Sequence, residues 1–329
     1  MMKILAIASI LIASPALAQD EITVQAWGTT WDMGLRQVAD KFTEATGVKV
    51  VSIPQSSSTE GLVKLQAMKA KPTIDVWFTT ASVAARAETD TELFSPIDKS
   101  ALTNAPDMIA GSYTDFWVAG YYYPVSIIYR TDMVKEPIKG WSDLWDKRFA
   151  GTLAVPSIEM YQARFLMISS LINGGGIDNV EPGFKAMGSI KPNVATWYQS
   201  DSDGRRALAT GEVSVLIAPP ALAKGLAEDG VKVNIVSPKP TPVMFDVMML
   251  VNTPKKDLGQ KFINFVVSAE SQTVLAGGQA AAPVNNKSPM SAEDVAAMPK
   301  AENQVTFDEQ KINAGVPAWT ERFNKEIVN

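Results

Sequence analysis

The chain has 329 residues, of which 46% are hydrophobic and 20% charged, and its formal net charge is −5. This length predicts two domains, and the composition excludes a disordered chain and a membrane bundle. The sequence has no basic stripe, which argues against a nucleic-acid partner. The sequence contains neither cysteine nor histidine, which excludes disulfides and thiolate sites and disfavours a catalytic triad or zinc site, so we expect no cofactor.

The N-terminus predicts export. Lys3 precedes an apolar run, Ile4–Ile12, and small residues follow at Ala16 and Ala18. This pattern is typical of a secretory signal peptide cleaved after Ala18, which would place the mature protein in the periplasm. The alternative is an N-terminal membrane anchor, but the apolar run is too short to span a bilayer.

The first part of the mature chain predicts a parallel sheet. Strands are expected at 22–27, 48–53 and 74–79, with amphipathic helices between them. A β-α-β-α-β order implies a parallel sheet with right-handed crossovers. Ligands bind at the carboxyl ends of such strands, so the loops 28–32, 55–59 and 79–82 are candidate ligand loops.

A second α/β unit follows an aromatic-rich stretch, Tyr113–Tyr129, that ends in a predicted strand. A short helix is expected at Trp141–Trp145. The remaining predicted elements are strands at 125–129, 151–155, 213–218 and 231–236 and helices at 161–172, at 205–210 and after Pro219-Pro220. The end of the chain, from Ser271, is helical and polar in pattern.

The stretch 240–268 predicts a strand that returns the chain to the first unit. Val243–Val251 is apolar as a strand buried on both faces must be, and a helix follows Pro254. Asp246 interrupts this run. A carboxylate in a buried strand needs a partner, and we interpret Asp246 as awaiting a ligand; the alternative is a structural pair with a lysine or arginine.

After the signal peptide, the segments that carry a family resemblance are 22–51, which contains FTEATGVKV at 42–50, IDVWFTT at 74–80, GWSDLWDKRFAGTLAVP at 140–156, ATGEVSVLIA at 209–218 and KKDLGQKFINFVVSAESQ at 255–272. Together they resemble extracellular solute-binding proteins of ABC importers, in the group that binds polyamines, ferric iron and related solutes. The resemblance implies an α/β, two-lobed periplasmic-binding-protein fold of type II. It also implies two hinge crossings, a ligand cleft between the lobes, and delivery to a membrane permease with a cytoplasmic ATPase.

On this basis we expect a signal peptide at 1–18, a discontinuous first lobe at 19–123 with 245–285, a second lobe at 124–244, and a C-terminal segment at 286–329. The C-terminal segment is expected to pack on the second lobe and the hinge. The hinge crossings are expected near 123–125 and 240–244. The protein is expected to act as a monomer.

The resemblance also suggests the ligand, a polyamine or other small organic amine. In the polyamine branch an aromatic residue and an aspartate lie on the return strand, as Phe245 and Asp246 do here, and would supply cation–π attraction and countercharge. Pro219 replaces a tryptophan of that branch, which favours a smaller amine. We expect the aromatic candidates other than Phe245 to lie in loops that face the cleft. The candidate ligand-binding residues are Trp27, Thr30, Trp31, Ser57, Thr80, Tyr122, Tyr123, Glu159, Trp197, Ser200, Phe245 and Asp246.

Structural roles are possible for several of these residues. Trp27 and Trp31 suit a core, Ser57 suits a helix N-cap, and Glu159 suits a first helical turn. One of Tyr122 and Tyr123 is expected to pack the hinge.

Other ligands and functions remain open at this point. Serine- and threonine-rich segments at 56–59, 79–80 and 200–202 could bind a phosphonate, sugar phosphate or sulfate at helix N-termini. Ferric iron is less favoured, since the tyrosine run 121–123 lies too early and histidine is lacking. An exported enzyme is disfavoured because no G-x-S-x-G or S-x-x-K motif lies at a strand–helix junction. A binding protein that reports to a membrane receptor cannot be separated from an importer component.

Overall fold

The computed structural model describes residues 20–28, 30–278 and 281–329, and of residues 30–33 and 278 it describes the backbone alone. The predicted signal peptide, residues 1–18, lies outside this range. Within this range, no helix combines the length and the apolar character needed to cross a bilayer.

The N-terminal part forms the predicted β-α-β-α-β unit. β1 pairs in parallel with β2 on one side and with β3 on the other, which confirms the predicted parallel order. The elements, in chain order, are β1 (Glu21–Trp27), α1 (Thr30–Thr46), β2 (Lys49–Gln55), α2 (Ser58–Ala67), β3 (Val76–Thr80), α3 (Ala81–Ala87), β4 (Phe94–Ser95) and β5 (Trp117–Pro124).

The middle part builds a second sheet, entered immediately after β5. The predicted short helix is a 3-10 turn at Trp141–Trp145. The further elements are β6 (Ser126–Arg130), β7 (Leu153–Pro156), α4 (Arg164–Leu171), α5 (Glu181–Ile190), β8 (Val194–Tyr198), α6 (Asp201–Thr210), β9 (Val215–Ala218), α7 (Pro220–Glu228) and β10 (Val233–Val236).

The chain then returns to the first sheet through a long strand. The remaining elements are β11 (Thr241–Val251), α8 (Lys256–Val266), α9 (Ala269–Gly278), α10 (Ala292–Ala297), β12 (Gln304–Val305) and α11 (Glu309–Phe323). A final helical turn, Asn324–Val328, follows.

Within the described part of the chain, the strands form two sheets. Sheet I has the order β12-β11-β3-β1-β2, with β4 and β5 also paired to β11, and sheet II has the order β10-β6-β9-β7-β8. The chain passes from sheet I to sheet II between Pro124 and Ser126 and comes back between Val236 and Thr241. The predicted lobe boundaries at 123/124 and 244/245 stay predictions.

The apolar periodicity of the helices places them on the sheets. Leu35, Val38 and Phe42 of α1 are buried, as their spacing predicts. The ring of Phe42 meets Phe262 edge-on, with ring centroids 5.2 Å apart, so α1 and α8 share one layer of core.

Candidate functional site

Asp246 is buried in the middle of β11, with 3% of its surface exposed. It lies opposite Thr80 of β3 and Tyr121 of β5. The hydroxyl of Tyr123 donates to its Oδ1 atom at 3.3 Å, and Tyr121 hydrogen-bonds the same carboxylate. Within the described residues, Asp246 forms no salt bridge. Burial raises its pKa from 3.8 to about 7, because desolvation outweighs the two tyrosine hydrogen bonds.

A β-bulge sets which tyrosines reach Asp246. The pairing of β11 with β5 shifts between Asp246, opposite Tyr121, and Val247, opposite Ala119, so Gly120 is left over. Gly120 also fits where a side chain would not, since a Cβ there would lie 2.9 Å from the ring of Phe78.

Phe245 and Asp246 lie on opposite faces of β11, because successive strand residues alternate. The ring of Phe245 packs near Tyr122, with centroids 6.0 Å apart. Both Phe245 and Trp117 line a cavity of about 290 Å³ beside α3 and the segment 306–310. The aromatic residue and the aspartate predicted as one ligand-binding pair therefore make separate sets of contacts.

A second carboxylate, Asp201, lies on the sheet II side. It is the first residue of α6 and is half-buried, and it accepts a short hydrogen bond from the hydroxyl of Tyr161. Burial raises the pKa of Asp201, while the bond from Tyr161 opposes that shift. The hydroxyl of Tyr198 lies 3.4 Å from that of Tyr161 and donates to the Ile217 carbonyl at 2.5 Å.

The turn that presents Tyr161 is strained. Tyr161, Gln162 and Ala163 have φ angles of 49°, 44° and 58°, in the left-handed region that residues other than glycine rarely occupy. Each such residue costs on the order of 1–3 kcal/mol, and strain of this kind concentrates at functional sites. The predicted helix therefore starts later than its sequence pattern suggests, at Arg164.

Tyr123 hydrogen-bonds Asp246 and lies within electrostatic range of Asp201. Burial raises its pKa well above 10, and the charges of Asp246 and Asp201 raise it further, while Arg164 opposes them. We call Asp246, Tyr121, Tyr123, Asp201 and Tyr161 the tyrosine–aspartate cluster, which joins β5 and β11 to the sheet II side.

Arg164 is a cation whose charge lowers the pKa of Tyr123. It is already paired with a carboxylate. It is 1% exposed, forms an ion pair with Glu309, and donates to the carbonyl of Gln162 at 3.1 Å. Within the described residues, its Nε atom and the Oε2 atom of Glu309 have no hydrogen-bond partner. The ion pair is thus incompletely satisfied and ties α11 to α4.

Four of the aromatic candidates lie on strands and the backbone of Trp31 lies in α1, so the expectation that they occupy loops is wrong. Trp27 ends β1, Tyr122 and Tyr123 belong to β5, and Trp197 belongs to β8. The ring of Trp197 packs edge-on against Phe323, with centroids 5.0 Å apart, which engages it with the C-terminal helix. The loop expectation failed because β5 pairs with β11, more than a hundred residues away, and local sequence carries no record of that pairing.

The polar candidates occupy helix starts. Ser57 caps α2 by accepting from the Glu60 amide at 3.1 Å, and Ser200 caps α6 by accepting from the Asp203 amide at 3.2 Å. Thr80 stands at the start of α3, opposite Asp246.

Three further candidates stand apart from these contacts. Glu159 is exposed. The side chains of Thr30 and Trp31 lie outside the described residues.

Sequence reasoning did not select Tyr121, Tyr161 or Asp201 as amine ligands. The sequence places Asp201 in a polar segment that suits an oxyanion, and it places Tyr161 at the start of a predicted helix. The left-handed turn places Tyr161 against Asp201, and the register of β5 places Tyr121 against Asp246. Neither feature has a local signature in the sequence. Only Tyr121 could have been selected from the sequence, because it shares a strand face with the candidate Tyr123.

Comparison with known proteins identifies the family. The sequence profile of bacterial extracellular solute-binding proteins matches residues 37–303. The chain belongs to this family. Its members bind solutes, which confirms the prediction of a binding protein over an enzyme.

Two relatives and one solved structure illustrate the likeness. The γ-aminobutyric acid-binding protein of Pseudomonas aeruginosa is 23% identical over 195 residues, which are 56% of this chain and 54%, about half, of that protein. A Salmonella paratyphi A periplasmic protein, described as a candidate 2-aminoethylphosphonate-binding protein, is 25% identical over 245 residues, 71% of this chain and 69% of that one. An ABC transporter structure from Clostridium perfringens has a TM-score of 0.79 at 24% identity and covers 93% of this chain and 99% of that chain. This likeness confirms the predicted two-lobed α/β fold.

Proposed function

We propose that the protein is the periplasmic substrate-binding component of an ABC importer and that it captures a small organic amine between its lobes. In this proposal a signal peptide is removed after Ala18, and the monomeric mature protein delivers the amine to an inner-membrane permease. Two relatives of this chain are named for amino compounds, γ-aminobutyric acid and 2-aminoethylphosphonate, which supports an amine as the shared chemical group.

The observation that carries the proposal is the environment of Asp246. A buried carboxylate is strongly disfavoured unless a cation or hydrogen bonds neutralise it. Tyr121 and Tyr123 supply hydrogen bonds, and no described residue supplies a positive charge in contact with Asp246. An ammonium group has three donors and one charge, which suit the unused lone pairs of this carboxylate.

Asp201 supports the same ligand class from the other sheet. Its carboxylate occupies the N-terminus of α6, the position where an anionic solute would otherwise bind. A cationic or hydrogen-bond-donating end of the solute is therefore favoured there too. We propose that Asp246 and Asp201 contact the solute from the two sides of the cleft, with Trp27, Thr30 and Trp31 as further candidates near the end of β1.

An oxyanion-bearing solute has less support. At α2, Glu60 already accepts from the Ser56 backbone amide at 2.6 Å, so a carboxylate of the chain itself fills that helix N-terminus. At α6 the same argument applies to Asp201. Ferric iron would need deprotonated tyrosines, yet burial raises the pKa of Tyr121, Tyr123 and Tyr161 well above 10.

The ligand class is tested by thermal shift of the mature protein against putrescine, spermidine, γ-aminobutyric acid, 2-aminoethylphosphonate, phosphate, sulfate and ferric citrate. A ligand at a hundredfold excess over its dissociation constant should add about 2.7 kcal/mol of stability. Amines should stabilise the protein. Stabilisation by phosphate, sulfate or ferric citrate alone would reject the amine assignment.

The role of Asp246 is tested by calorimetry on Asp246→Asn with the amine that binds. Loss of a charged hydrogen bond should weaken binding by about 1.5–3 kcal/mol, or roughly 10- to 150-fold. Asp201→Asn should also weaken binding, whereas Asp203→Asn, two residues away on the exposed side of α6, should not. Full affinity in both Asp246→Asn and Asp201→Asn would contradict the assignment.

A further inference from the structure

The protonation state of Asp246 before any solute binds follows from its surroundings. The carboxylate is 3% exposed and lies between two tyrosine hydroxyls. An ionised carboxylate that leaves water without a cation is disfavoured by several kcal/mol, and such groups commonly bind a proton instead. The empty cleft therefore has to hold either an uncompensated charge or an extra proton.

Within the described residues, the elements packed around β11 bring no compensating cation to Asp246. On β5 the facing titratable groups are Tyr121 and Tyr123, and on β3 the facing residue is Thr80. From α4, Arg164 is held by Glu309. The charged side chains of α8 and Arg86 of α3 are exposed, and β4 and β12 carry no charged side chain. At the end of α3, Glu88 accepts from Gln310.

We propose that solute capture at this site is a cation-for-proton exchange, in which an ammonium group replaces a proton that the buried Asp246 carries before solute binds. The O–H bond of the Asp246 carboxylic acid breaks, its proton goes to solvent, and the carboxylate so formed accepts hydrogen bonds from the incoming ammonium. One positive charge enters and one leaves, so the buried site keeps its net charge. The exchange rests on the proposed function, because it requires a cationic solute.

The two tyrosines make both states of the site feasible. A hydroxyl can donate or accept. With Asp246 ionised, Tyr123 and Tyr121 can both donate to it; with Asp246 protonated, the carboxylic acid can donate to one hydroxyl oxygen instead. Removing one of these hydroxyls should destabilise the ionised form more than the acid, and so favour the protonated state.

The exchange is measured by titration calorimetry of the mature protein with putrescine and with γ-aminobutyric acid at about pH 6, in buffers of different ionisation enthalpy. The apparent enthalpy should vary linearly with the buffer enthalpy, with a slope of about one proton released per amine bound. Given the pKa of about 7 for Asp246, affinity should fall roughly 20-fold from about pH 7.5 to about pH 5.5.

Two tyrosine variants separate the exchange from a structural effect. Tyr123→Phe should move the midpoint of the affinity–pH curve to higher pH, because it removes a hydrogen bond that stabilises the carboxylate. Tyr129→Phe is the matched control, because the Tyr129 hydroxyl accepts from Asn234 in sheet II, and it should leave the midpoint unchanged. Asp246→Asn should abolish proton release by any amine that it still binds.

The outcomes distinguish the exchange from the proposed function. If an amine binds with no proton release and with the same affinity at both pH values, the exchange is overturned while the amine assignment stands. If neither putrescine nor γ-aminobutyric acid binds at any pH, and the other amines fail too, both are overturned. A shift of the affinity–pH midpoint in Tyr123→Phe, with no shift in the control variant, supports the exchange.

Discussion

At the scale of single residues, Asp246 shows how strand context changes the chemistry of a side chain. Its neighbours on β11 are apolar, and the two tyrosines opposite are themselves buried. The same carboxylate on an exposed helix would be ionised and of little consequence. Burial makes its protonation state depend on the few groups that contact it.

Asp246 should make the stability of the unliganded protein depend on pH. Its folded pKa of about 7 exceeds the ordinary 3.8, so the native state binds more protons between these values and the free energy of unfolding falls as pH rises through that window. The full difference is on the order of 4 kcal/mol. Urea denaturation of the wild type and Asp246→Asn at about pH 4.5, 6 and 7.5 measures it, and parallel profiles would contradict the burial argument.

At the scale of elements, the turn before α4 departs from the helix that its sequence favours. Three consecutive left-handed residues aim the Tyr161 hydroxyl at Asp201. Gln162 in the middle of this turn has a buried Oε1 atom with no hydrogen-bond partner within the described residues. A turn of this kind persists because surrounding packing holds it, here between β7 and the buried helix α4.

Substitutions at Gln162 should measure the strain. Glycine adopts left-handed φ without a Cβ clash, so Gln162→Gly should be more stable than Gln162→Ala by about 1–2 kcal/mol. Gln37, exposed in the middle of α1, is the matched control, where alanine should exceed glycine by about 1 kcal/mol. Thermal or urea unfolding of the four variants gives both differences. The same order at both positions would show that the turn is unstrained.

At the scale of the whole molecule, α11 contacts elements of both sheets. The Asn313 amide donates to the Ser82 carbonyl of α3 at 2.5 Å, and Lys311 reaches Asp178, beyond α4, at 2.7 Å. The most deeply buried of these ties is the pair of Arg164 with Glu309. Because α11 is held on both sides, it can move with the sheet II elements only if its contacts with α3 break.

Removing the partner of Arg164 should be costly. Glu309→Gln leaves a buried guanidinium uncompensated, and we expect a loss of about 3 kcal/mol in the free energy of unfolding at neutral pH. The matched control is Asp229→Asn, which breaks the exposed pair with Arg205 and should cost less than about 1 kcal/mol. Chemical denaturation compares them, and equal small losses would refute the special role of the buried pair.

Much of the fold could be predicted from local pattern, because burial imposes a period on each element. The apolar spacing of Leu35, Val38 and Phe42 predicted the face of α1 that is buried. The apolar run around Asp246 predicted a strand buried on both sides. The strand β5 was missed because its aromatic residues suit a cleft loop as well as a strand.

By itself, the sequence determined the β-α-β-α-β order of the first unit, the absence of cysteine and histidine chemistry, and the one acid that interrupts a buried strand. The tertiary structure decided which residues surround that acid. Tyr121 faces Asp246 and Tyr122 does not, because the register of β5 on β11 and the bulge at Gly120 fix the faces. Asp201 and Tyr161 meet through a strained turn. Such contacts join residues far apart in the chain, and local patterns constrain only neighbours.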